Sequence, residues 1–76
     1  MPRHADTLVE AENAITKAID GIGSRDPAGR LAGQYFNRSV ARRLLGRIAE
    51  ATHDLREAFR LSPSEPVIAL GFAMEA

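Results

Sequence analysis

Apolar positions recur at helical spacing through most of this chain. Leu8, Ala11, Ile15, Ala18, Ile19 and Ile22 fall on one face at steps of three and four, with Glu10, Asn13, Lys17 and Asp20 opposite. Thr7-Leu8-Val9-Glu10 has capping-box spacing, the Thr hydroxyl and Glu carboxylate each satisfying a free amide of the first turn. Gly21 and Gly23 supply a stop. The pattern predicts a first helix over 7–22 behind a flexible N-terminus, 1–6.

A second stripe begins further on. Ala41, Leu45, Ile48, Thr52, Leu55 and Phe59 step 4-3-4-3-4, and Leu44, Ala51 and Ala58 widen it, a spacing suited to left-handed helix packing. Pro63 ends this helix near Leu61. The prediction is one long helix over 34–61. Asp26-Pro27 offers an alternative start at 27, since Pro at the first helical position surrenders an amide that has no partner there. Gly29 and Gly33 weaken that earlier start by about 1 kcal/mol each. Gly46 falls on the polar side of the long helix. The predicted core sets Leu8, Ile15, Ile19 and Ile22 against Leu44, Leu45, Ile48, Leu55 and Phe59.

The last segment differs in kind. Val67-Ile68-Ala69-Leu70-Gly71-Phe72-Ala73-Met74 has no polar face and follows Ser62-Pro63-Ser64-Glu65-Pro66. The Ser-Pro-Ser-Glu start favours a short helix. The alternation of large Ile68, Leu70, Phe72 and Met74 with smaller residues keeps a strand open. The expected fold is all-α: a single domain over 1–76, built as a helical hairpin with a third apolar element at 62–76. Dimerisation into a bundle is a further option.

Composition sharpens this picture. Of 76 residues, 45% are hydrophobic but thirteen are alanine, so the core is lean for a domain near the lower size limit. The absence of cysteine removes disulfide and thiolate chemistry and makes the cytoplasm the default setting. No apolar run approaches the roughly 20 residues of a membrane span. Net charge is zero, yet four acids lie between Asp6 and Asp20 and six arginines between Arg25 and Arg47. Arginine suits bidentate pairing with carboxylate or phosphate.

Candidate chemistry is sparse. Glu50-Ala51-Thr52-His53 has the Glu-x-x-His spacing of bundle metal sites, with Glu10 and Glu12 as further carboxylates. Helical geometry turns Glu50 and His53 away from the apolar stripe, so a solvated face is the better reading and no metal or cofactor is expected. His4 has only Asp6 nearby, and Ser24, Ser39, Ser62 and Ser64 suit caps and loops. No nucleophile–base set can be assembled, so an enzyme is not expected.

Arg38, Arg42, Arg56 and Arg60 on one flank, with Arg43 and Arg47 on another, could lie on phosphates. Glu50, Asp54 and Glu57 on the same exposed surface argue against this, and the plainer reading pairs these arginines locally with Glu50 and Glu57, or with the acidic face of the first helix. The helix-turn-helix signature, a short glycine turn between two helices, is not evident. The expected function is a non-enzymatic regulator that binds and inhibits a larger protein, as antiactivators, antitoxins and anti-sigma-type antagonists do. Ile68, Leu70, Phe72, Met74, Tyr35, Phe36, Arg38 and Arg42 are the expected partner-binding residues. A small DNA-binding regulator and a structural homo-oligomer are the alternatives.

Overall fold

The computed structural model describes residues 4–23, 25–26, 29–65 and 68. Three helices run through them in the order α1 (His4–Ile22), α2 (Leu31–Leu44) and α3 (Ile48–Leu61), with no strand among the described residues. The all-α class is therefore correct, but its elements are divided differently.

α1 begins at His4, so residues 4–6 are helical and Thr7 lies inside the first turns instead of at the cap. Its end is where the glycines put it. Gly23 adopts φ +70° and donates its N–H to the Ile19 carbonyl at 3.1 Å, a left-handed C-terminal cap. Asp26 then organises the start of α2 from four residues upstream. Its two carboxylate oxygens accept the N–H groups of Arg30 at 2.7 Å and Leu31 at 2.8 Å. This satisfies amides that a helix start leaves free, and it holds Asp26 in the strained left-handed region at φ +34°.

The long helix expected over 34–61 is two helices. The reason is Gly46, at φ +82°, where a side chain would have open space but strained backbone. Arg47 N–H reaches the Arg42 carbonyl at 2.8 Å and Gly46 N–H the Arg43 carbonyl at 3.0 Å. That pair of bonds is the Schellman arrangement, which closes α2 and sends the chain back along itself.

All three helices are antiparallel to their sequence neighbours. Arg42 meets Glu12 and Arg38 meets Thr16 across α1–α2, while Arg38 meets Asp54 and Arg42 meets Glu50 across α2–α3. In each pair one number rises as the other falls, and α2 is the shared middle element. Leu45-Gly46-Arg47 is a short glycine turn between two helices, which the sequence reading missed.

The core is built largely from small residues. Ile19, Leu31, Ala32, Ala41, Ala51, Leu55, Ala58 and Ile68 are buried. Alanines on α2 and α3 let those axes come close, since the side chains at the contact set the interaxial distance. Leu8, Ile15, Ile22, Leu45 and Phe59 are only half-buried. Leu44 and Ile48, expected in the core, are 66% and 52% exposed. Because the helix breaks between them, their shared periodicity no longer describes one face.

A buried arginine–carboxylate network and an exposed apolar corner

Three pairs of polar residues, each spaced i, i+4, are brought together: Glu12 and Thr16 on α1, Arg38 and Arg42 on α2, Glu50 and Asp54 on α3. Residues at that spacing project from one helix face. Asp54 is the centre, wholly buried. It accepts a two-pronged pair from Arg38, Nε to Oδ2 at 2.9 Å and Nη2 to Oδ1 at 2.8 Å, and a third bond from Arg42 Nη1 at 2.8 Å. Arg38 also donates to Thr16 Oγ1 at 3.2 Å, and that hydroxyl donates to the Glu12 carbonyl at 2.9 Å.

Arg42 joins all three helices. Besides Asp54 it donates from Nε to Glu12 Oε2 at 3.0 Å and lies 3.7 Å from the exposed Glu50 carboxylate. Arg47, carried on the turn that Gly46 creates, donates to the other Glu12 oxygen. Arg38 further lies over the Tyr35 ring, 5.3 Å from its centroid, a cation–π contact. Three cations thus face three carboxylates, and no buried side-chain polar atom among the described residues lacks a partner. This satisfaction is what makes burying such charges tolerable.

The electrostatics follow the contacts. Burial pushes the Glu12 carboxyl upward, but hydrogen bonds and charge from Arg42 and Arg47 outweigh it, leaving it below the ordinary glutamate range. Hydrogen bonding to Asp54 raises Arg38 above its ordinary value against the opposing effect of burial. On the surface, Arg60 bonds Glu57 at 2.9 Å and holds that carboxyl low as well. The buried carboxylates are occupied by guanidinium donors, an arrangement that fixes helix register.

The expected partner-binding residues separate into groups. Arg38 and Arg42 turn inward, their side chains 12% and 17% exposed. Tyr35 and Phe36 are half-buried and pack, with Phe59, on the cluster of Ala32, Ala58 and Ile68, so they cover the core at the mouth of the α2–α3 hairpin. Ile68 belongs to that cluster. Leu70, Phe72 and Met74 lie outside the described residues. Glu50 and His53 are exposed, as helical geometry requires, and the described residues hold no group of three or more His, Cys, Asp or Glu positioned for a metal.

The sequence reading missed Glu12 and Asp54 as internal residues, though it allowed arginine pairing with the acidic face of α1. It missed also what remains outside. Val40 and Leu44, one turn apart at the end of α2, and Ile48 at the start of α3 are 45%, 66% and 52% exposed, three large apolar side chains on either side of the Gly46 turn. Among the described residues, no helix is long and apolar enough to cross a membrane. Comparison with protein-family models, curated proteins and solved structures finds no significant match.

Proposed function

We propose that this chain is a non-enzymatic protein-binding module that engages a larger protein through its apolar α2–α3 corner, in the manner of a small inhibitory regulator. The observation that carries the reading is the exposure of Val40, Leu44 and Ile48 while the arginines most suited to phosphate contact, Arg38 and Arg42, are bound to buried carboxylates. Apolar anchors at the centre of a patch, with Arg43 and Arg47 nearby at its rim, resemble the composition of protein interfaces. Nucleic acid is the weaker partner, because a backbone-binding face needs its cations free. The lack of cysteine supports a cytoplasmic setting.

The test is capture from cell extract by the full chain and by Leu44→Asp. A charge at a 66% exposed position should change stability by no more than about 0.5 kcal/mol. Loss of a specific partner, with helicity retained by circular dichroism, supports the reading; undiminished capture of the same partner by Leu44→Asp contradicts it.

A further inference from the structure

The middle helix carries two seams. Leu31, Tyr35, Arg38 and Arg42 step 4-3-4 along the face that meets α1 and α3. Gly33, Asn37, Val40 and Leu44 repeat that spacing two residues later, and all four are exposed. None of the four is charged, so covering this second seam strips no seam residue of an ion's hydration.

The second seam runs from a hole to a knob. Gly33 and Leu44 share one face of α2, about three turns or ~16 Å apart. Beside Gly33 opens a cavity of about 300 Å³, with Ala32, Phe36, Asn37 and Ile68 in its wall. Ala32 and Ile68 are buried and Phe36 packs on them, so the floor of the cavity is apolar. A dry cavity of about 150 Å³ holds a benzene ring, so this one has room for a leucine side chain. At the far end Leu44 projects with 66% of its surface in water. Knob and hole match in chemistry, yet a rigid helix keeps them apart within one molecule.

We infer that two copies of this chain associate through this seam, α2 against α2 in antiparallel register. The two-fold axis passes between Asn37 and Val40, and Leu44 of each copy enters the cavity beside Gly33 of the other. The spacing of the seam is self-complementary in that sense only. When Leu44 faces Gly33 of the second copy, the same register sets Val40 against Asn37 of the second copy, and each contact is returned across the axis. A parallel pairing would set Leu44 against Leu44 and leave both holes empty. The two Asn37 residues fall within about 5 Å of each other along the helix direction, close enough for their amides to bond across the axis. A single polar position in an apolar seam fixes register in this way. Four seam positions per copy are far fewer than the roughly 20–30 residues a side of a standard interface, so the association is weak. A larger protein binding the same corner competes with the second copy. The inference rests on the same exposed side chains as the protein-binding reading but is tested with no partner present, so either can fail alone.

The experiment is sedimentation equilibrium of the full chain from about 10 μM to about 1 mM. Wild type should rise from 8.2 kDa toward twice that mass. Gly33→Leu fills the hole and should stay at the single-chain mass. It places a better helix former at an exposed site where nothing lies within 4 Å of the added Cβ, so unfolding does not account for the loss. Leu44→Ala removes the knob and should weaken association by at least about tenfold. An equimolar mixture of the two variants should associate again, because the new leucine of one meets the new alanine of the other while Leu44 of the first still enters the cavity of the second. A wild type that keeps the single-chain mass throughout, a Gly33→Leu variant that associates as tightly as wild type, or a mixture no tighter than its components overturns the inference.

Discussion

Replacing Asp54 by Asn examines the network at its centre. The amide has nearly the same shape but no charge, and it presents two N–H donors where the carboxylate accepted three bonds. Arg42 keeps Glu12 and the looser Glu50, whereas Arg38 keeps Thr16, the Tyr35 face and at most the one neutral amide oxygen. The cost is therefore mainly an uncompensated Arg38 guanidinium in a site where its side chain is 12% exposed. Breaking a buried pair from one side costs about 3–5 kcal/mol. A chain of this length has a total stability of about 4–11 kcal/mol, so the variant should be at best marginally folded. Urea unfolding followed by circular dichroism measures it. The same series should include Arg38→Met with Asp54→Leu, which removes both charges and leaves apolar volume; this pair should recover most of the loss. A loss below about 1 kcal/mol for Asp54→Asn would refute the reasoning, because a wholly buried carboxylate with three donors cannot be that dispensable.

Other expectations follow from the same contacts. Glu12→Gln should cost about 1–3 kcal/mol by loosening α1 from Arg42 and Arg47. Because Glu12 is held below its ordinary range in the fold, its contribution is complete above about pH 4.3, the unfolded value, and is lost as pH falls through the lower folded value. Unfolding curves should thus show the difference between wild type and Glu12→Gln shrinking in acid; a constant difference would exclude the ion pair as its source. Gly46→Ala should cost about 1–2 kcal/mol from the left-handed backbone alone, since open space surrounds the new methyl group; an unchanged melting temperature would contradict the turn geometry. Leu55→Ala should cost about 2–5 kcal/mol, against no more than about 0.5 kcal/mol for the exposed Ile48→Ala, a contrast that thermal melts can read directly.

Much of the secondary structure was legible because helical periodicity survives without tertiary information. The α1 stripe, its Gly23 stop and the end of α3 before Pro63 all follow from local rules. The break at Gly46 was hidden because Ala41, Leu45, Thr52 and Leu55 keep helical spacing straight through it, and one glycine on a polar face is a weak signal. The charge network was hidden by the expectation that acids lie outside. Yet Asp54 sits three residues after Ala51 and four before Ala58, within the buried stripe, and Glu12 stands three before Ile15 and seven before Ile19. An acid at a stripe position, facing a neighbouring helix with arginines spaced i, i+4, is the signal that would have found it. Leu44 and Ile48 were placed inside for the complementary reason: periodicity identifies a face, and the turn decides what that face meets.

The most direct test of the account is the state of the arginine side chains in solution, read from their Nε–H signals by nuclear magnetic resonance. If the network holds, Arg38 and Arg42 give narrow, slowly exchanging Nε–H signals, while exposed Arg56 exchanges fast, and adding duplex DNA at moderate salt leaves the first two unchanged. Fast exchange at Arg38 and Arg42, or their shift on adding DNA, would show these cations free on the surface and contradict the central claim that they are bound inside, between the three helices.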